Sequence, residues 1–210
     1  MPSLDEFLQL SGARHNHVCP RQVLGVRMGM LAVSLLGLPL QQSNKRLLTI
    51  VETDGCFADG VAVTTGCEFG HRTLRLVDYG KVAATFIDTR TGQALRIAPR
   101  STIREAAAPH ADTNANRWHS YLEAYQLMSD EDLFVVQSVT PNFSVAKLVS
   151  KPKRRITCAH CAEEIMNERE VLVNGEVLCR ACAGTAYYVT AAPVAEEALS
   201  LEVLGYLQTN

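Results

Sequence analysis

The sequence predicts an α+β fold, with helices packed on an antiparallel sheet and a small treble-clef or zinc-ribbon-like domain at the C-terminal end. Three observations carry this prediction. A long apolar segment, Pro20 to Gly37, reads as one buried helix. Several short runs rich in Val, Ile and Thr, separated by Gly-containing turns, read as strands, and they interleave with helices without a βαβ rhythm. Two C-x-x-C pairs then stand close together after residue 150.

The elements follow in order. Ser3 to Leu10 is a short helix, with Ser3 at its cap and Glu6 at the capping-box position. The helix from Pro20 starts with proline, which suits a first helical position, and stops at Gly37 and Pro39. It is apolar on most faces and belongs at the centre of the core. Arg46 to Val51 is a strand. The turn at Asp54-Gly55 opens a helix over Phe57 to Thr65. Thr73 to Asp78 and Lys81 to Asp88 read as two strands of a hairpin joined at Tyr79-Gly80. Thr91-Gly92 turns the chain into a strand over Ala94 to Ala98. Ser101 to Ala107 and Arg117 to Met128 are helical, and Leu133 to Val139 is a last strand.

The 210 residues are 47% hydrophobic, enough for one real core with a small accessory module. A boundary is expected near residue 150, where Lys147 to Arg155 is basic and contains Pro152, giving a core of residues 1–150 and a module of residues 151–210. The module holds six Lys and Arg against eight Glu. Neither part is basic, which argues against a nucleic-acid partner despite the five basic residues of the linker. The N-terminus lacks the basic region of a signal peptide. The apolar run Met28 to Leu40 is too short to span a bilayer. The expected compartment is therefore cytoplasmic, without a membrane partner. Its seven cysteines are then read as metal ligands or reactive thiols before disulfides.

Cys158-x-x-Cys161 and Cys179-x-x-Cys182 lie 17 residues apart, with Asn174-Gly175 marking a hairpin between them. Each pair can turn two thiolates towards one ion, and two pairs complete the tetrahedral four-sulfur shell of structural zinc. Two disulfides or an iron–sulfur centre are the rival readings. His160 is a spectator in the knuckle, and an Ala-rich helix is expected over Ala181 to Tyr188. An amphipathic stretch, Val194 to Leu207, closes the chain.

In the core, His15-Asn16-His17-Val18-Cys19-Pro20 puts three soft or borderline ligands directly before a helix. Cys19 takes the cap, where the helix dipole favours thiolate. Cys56 and Cys67 sit in glycine-marked loops and either complete a site with Cys19 or pack as small hydrophobes. Lys81 is a candidate for holding an anionic group.

These stretches resemble the FmdE family, named for one of the subunits of molybdenum or tungsten formylmethanofuran dehydrogenase. The motifs are His15-x-His17-x-Cys19-Pro20, Leu24-Gly25-x-Arg27-Met28-Gly29, Glu52-Thr53-Asp54-Gly55-Cys56, Thr65-Gly66-Cys67-Glu68-Phe69-Gly70, Asp78-Tyr79-Gly80-Lys81 and Thr91-Gly92-x-Ala94-Leu95-Arg96. His71-Arg72 replaces the glycine-bearing turn expected of relatives. The resemblance implies an α+β core, often a homodimer, with the His-x-His-x-Cys residues lining a cleft or metal site, and molybdenum or tungsten oxidoreductase subunits as partners. It does not imply formylmethanofuran dehydrogenase activity.

Three functions follow. One is a metal-binding accessory protein using Cys19 and His17, with His15, Cys56 or Cys67, beside a structural zinc. A second is a thiol- or metal-dependent enzyme with Cys19 as nucleophile and His17 as base. The third is a zinc-finger regulator.

Overall fold

The structure, a computed structural model, describes residues 2–15, 17–110, 116–150, 153–189 and 191. The chain divides into two compact units, residues 1–150 and 151–210, at the boundary the linker composition indicates.

The first unit opens with α1 (Leu4–His15). Its capping box forms as expected: the Ser3 N–H donates to Glu6 Oε2 at 2.6 Å and the Glu6 N–H to Ser3 Oγ at 3.2 Å. Helix α2 (Pro20–Leu35) follows, capped by Cys19 in an extended conformation. It is buried along most of its length, including Val23, Val26 and Met28 at 0% exposure, as its all-round apolar sequence requires. Next come β1 (Leu47–Val51), α3 (Cys56–Thr65), β2 (Leu74–Leu76), β3 (Ala84–Asp88) and β4 (Ala94–Pro99). The unit ends with α4 (Ile103–Ala106), α5 (Arg117–Leu127), α6 (Asp130–Leu133), β5 (Phe134–Ser138) and α7 (Val145–Val149).

The five strands form one mixed sheet in the order β2-β1-β3-β4-β5. All neighbours are antiparallel except β1 and β2, which are parallel through the crossover helix α3. The expected hairpin between the β2 and β3 segments therefore does not form; β1 lies between them. The reason is visible in the connection. Val77 N–H donates to the Val51 carbonyl, and both Tyr79 and Lys81 N–H donate to the Glu52 carbonyl. The chain thus crosses over the end of β1 and pairs on its far side. Tyr79-Gly80 is a turn within that crossing.

Alternation along the strands sorts side chains onto two faces. Leu47, Val51, Ala84, Phe86, Leu95 and Ile97 face the main core, which the helices complete with Phe7, Val26, Met28, Phe57 and Tyr125. Leu48, Ile87 and Ala94 point the other way and are covered by Val145, Leu148 and Val149 of α7. This small helix lies within the stretch that composition marks as linker. Its last carbonyls are held by cations: Arg72 and Arg75 both donate to the Leu148 carbonyl at 3.2 Å, and Lys45 Nζ to that of Val149 at 2.7 Å.

Helices α2 and α3 make the most extensive contact in the fold. Their backbones meet at glycines. A Cβ on Gly25 would stand 2.2 Å from the Phe57 carbonyl oxygen, and one on Gly60 would stand 2.6 Å from that of Gln22. One turn further, Gly29 faces Thr64. Because positions advance together along both helices, α2 and α3 run in the same general direction. Both N-termini lie at the same end.

The second unit consists of two hairpins, β6 (Arg155–Thr157) with β7 (Glu164–Met166) and β8 (Val171–Val173) with β9 (Glu176–Leu178), the latter turning at Asn174-Gly175 as expected. A single π-type turn, Ala181–Thr185, follows instead of a helix reaching Tyr188. Gly184 adopts φ +95° and breaks the helix there. The stretch Val194 to Leu207 lies outside the described residues.

Candidate functional site

The four C-terminal cysteines converge. Their sulfurs all lie within 4.8 Å of one another, and Cys161 and Cys179 are 3.9 Å apart. Zinc–sulfur bonds of about 2.3 Å in a tetrahedron put sulfurs roughly 3.8 Å apart, so the donor set fits a four-sulfur metal site. The sequence places each pair in a tight knuckle whose amides point at sulfur. The Cys179 N–H donates to Cys158 Sγ at 3.3 Å and the Cys182 N–H to Cys179 Sγ at 3.4 Å. The hairpin β8–β9 is tied to the first knuckle by the Ala159 N–H on the Val177 carbonyl. Backbone N–H groups of Cys161 and Cys179 lower the Cys158 thiol to about 6, so it ionises first. Its thiol neighbour Cys179 pushes Cys182 up to about 12. Crowded thiols sharing protons in this way are what a divalent cation relieves on binding.

In the core, the structure brings Cys19 and Cys56 together. Cys19 caps α2 and Cys56 begins α3, at the shared end of the glycine-linked helices. The Cys56 thiol is a hydrogen-bond neighbour of the Cys19 thiol. Cys19 is buried, at 7% exposure, and Cys56 is half-buried. The Cys19 N–H donates to Gln22 Oε1 at 2.7 Å, which fixes the cap. The dipole argument alone makes Cys19 more acidic, yet its thiol is raised. Burial raises it most, the Gln22 amide opposes this, and the Cys56 thiol raises it again.

His15 and His17 stand on the approach to this cap. His15 Nε2 lies 2.5 Å from Asp59 Oδ2, so the end of α1 is sewn to α3. His17 Nδ1 donates to the His15 carbonyl at 2.9 Å, which leaves its Nε2 as the nitrogen with a free lone pair. The two rings meet edge to face at 6.1 Å. Asp59 is not legible as part of this group from the sequence. It stands three positions after Cys56, which puts both on the first turn of α3, and that is the signal that could have found it.

Cys67 lies apart, in the main core. Its thiol meets Thr49 Oγ1 at 3.3 Å and the Leu47 carbonyl at 3.5 Å. Lys81 stands in the exposed crossing loop with Nζ 5.9 Å from the Tyr79 ring centre. Among the described residues, the C-terminal quartet is the cluster that gathers three or more ligand atoms; the core offers a sulfur pair with histidines nearby.

Fold and sites together define a two-unit α+β protein: a helix-covered mixed sheet with a thiol pair, and a four-cysteine module fit for a metal ion. The profile described as "FmdE, Molybdenum formylmethanofuran dehydrogenase operon" matches residues 14–135, more than half of the chain, and the protein belongs to the FmdE family. The crystal structure of an FmdE-like protein of tungsten formylmethanofuran dehydrogenase type, from Syntrophus aciditrophicus, has the same fold. It superposes with a TM-score of 0.55 at 22% identity, covering 90% of this chain and 96% of that one. A probable S-adenosyl-L-methionine-binding protein of Archaeoglobus fulgidus is 37% identical over 86 residues, 40% of this chain. The chain spans 24% of the length of that curated relative. Among the described residues, no helix is long and apolar enough to cross a membrane.

Proposed function

We propose that this protein is a metal-binding accessory protein of the FmdE type, with a structural zinc in the C-terminal module and a second, softer site in the core. The core ligands are Cys19 and Cys56, with His17 Nε2 as the third donor; His15 orients the segment through Asp59. The observation that carries the reading is the placement of two cysteines at the shared end of paired helices, beside a histidine whose Nδ1 proton is already used. Sulfur and imidazole donors suit zinc, copper or iron rather than magnesium or calcium. The family name points to molybdenum or tungsten oxidoreductase subunits as partners. Action as a homodimer fits the apolar residues exposed at the sheet edges, Leu76 and Val77 beside β2 and Val135 and Val136 on β5.

The test is metal content per chain by elemental mass spectrometry on anaerobically purified full-length protein. Two metals are expected. Cys158→Ser should remove one, and Cys19→Ala or His17→Ala the other. If Cys19→Ala and His17→Ala leave the metal content unchanged, the core site does not exist. Light scattering on the same samples reads the mass expected of a dimer.

A further inference from the structure

The core thiols carry a second chemistry. We propose that Cys19 and Cys56 form a reversible intramolecular disulfide, closed by exchange with a low-molecular-weight disulfide.

Geometry supports the pairing. A disulfide needs Cα atoms about 4.4–6.8 Å apart, whereas packed helices usually hold their axes about 8–10 Å apart. The glycine contact removes that obstacle. Gly25 and Gly60 bring the two backbones against one another within two turns of both cysteines, and the thiols end as direct neighbours. The bridge joins the cap residue of one helix to the first residue of the other. It therefore restrains positions that the glycine contact already fixes and asks for no rearrangement of the core. Cys67 provides the contrast: its buried thiol is engaged with Thr49 and the Leu47 carbonyl, remote from exchange.

The order of events follows from exposure. Cys56, half-buried, meets the reagent first, while Cys19 is nearly enclosed. The Cys56 thiolate attacks one sulfur of oxidised glutathione, breaks its S–S bond and releases one glutathione. The Cys19 sulfur, having given up its proton, then attacks Cys56 Sγ of the mixed disulfide and releases the second glutathione. The protein loses two protons and two electrons, and the small disulfide gains both. In a reducing compartment such a bridge serves as a transient redox element rather than a structural staple. On the metal-site reading proposed above, closing the bridge removes two ligands together, so oxidation and core-metal binding exclude each other.

The experiment treats full-length wild-type protein, stripped of core metal, with oxidised glutathione. It blocks free thiols and maps tryptic peptides by mass spectrometry. The expected product links peptide 15–21 to peptide 47–72, with fragmentation placing the bond on Cys56 rather than Cys67. The link should reverse with dithiothreitol, vanish in Cys19→Ser and Cys56→Ser, and persist in Cys67→Ser. Recovery of both thiols as free, alkylated peptides after treatment would overturn the proposal, as would a link to Cys67. Metal content is read separately on untreated protein. A link without core metal leaves the disulfide standing and removes the metal site; core metal without a link does the reverse.

Discussion

Arg96 and Glu52 face each other as a bidentate pair, with Nε to Oε1 and Nη2 to Oε2 both at 2.7 Å, in a setting where Glu52 is only 6% exposed. The Glu52 backbone is equally engaged. Its carbonyl takes the Tyr79 and Lys81 N–H groups, and its own N–H donates to the Ala83 carbonyl. One residue thus ends β1, holds the crossing loop and leads into the segment that carries Cys56. The hydrogen bond to Glu52 is also what raises Arg96 above its ordinary value.

Arg96→Ala should therefore be costly. It leaves a buried carboxylate without its partner, a loss of about 3 kcal/mol by comparison with other broken buried pairs. Urea unfolding measures it. The double variant Arg96→Met with Glu52→Gln should recover part of that loss. A cost for Arg96→Ala within the noise of surface substitutions would mean that the pair does not hold β1 and the loop together.

The glycine contact makes a contrasting prediction. Gly25→Ala and Gly60→Ala push a methyl group into carbonyl oxygens at 2.2 and 2.6 Å. Each should destabilise by about 1–3 kcal/mol or more, since backbone rather than a mobile side chain must yield. Gly80→Ala meets nothing within 4 Å and bears only its φ of +63°, a cost of about 1–2 kcal/mol. Denaturation midpoints of the three variants should rank accordingly.

Acid should find Asp88. Burial raises its carboxyl, but the hydrogen bond from Arg46 and the Arg90 N–H more than reverse this, and the net shift is downward from 3.8. A carboxylate depressed in the folded state stabilises it fully above the unfolded value. That contribution fades as pH falls through the lower, folded value. Stability of the wild type should thus drop below about pH 4. Asp88→Asn should be less stable at neutral pH and show a shallower loss in acid. Parallel curves for the two proteins in thermal melts from pH 7 to pH 3 would exclude the assignment.

Metal removal should act on one unit. A strong chelator, or Cys158→Ser, should abolish the order of residues 153–189 while the fluorescence of Trp118, in the first unit, and its unfolding midpoint stay in place. Loss of the Trp118 transition together with the metal would show that the two units fold as one.

Much of this is legible in the sequence, and the exceptions have physical causes. Helix α2, the Ser3–Glu6 capping box and the turn at Asn174-Gly175 follow from local rules and stand where those rules put them. The hairpin expected at Tyr79-Gly80 fails although the turn itself is genuine; whether a turn joins neighbours or carries the chain over β1 depends on long-range bonds to Glu52. Helix α7 escapes a local reading because its basic surroundings look like a linker, and because Arg72 and Arg75, far away in sequence, hold its end. Arg72 itself sits at φ +64°, the region that favours glycine, which accounts for the glycine expected there in relatives. At the candidate site the residue types are readable but not their partners. Cys56 and Cys67 have similar glycine-marked settings, and only the direction of α3 decides that one reaches Cys19 while the other enters the core.

The crossing of α2 on α3 works as a caliper. Its pivot is a pair of residues with no side-chain chemistry, and its jaws are two sulfur atoms, six positions from Gly25 and four from Gly60. A slip or rotation at the pivot changes the gap between the jaws, whatever residues surround them. The spacing of the sulfurs can therefore be adjusted from a distance, by substitutions at the seam that touch neither cysteine.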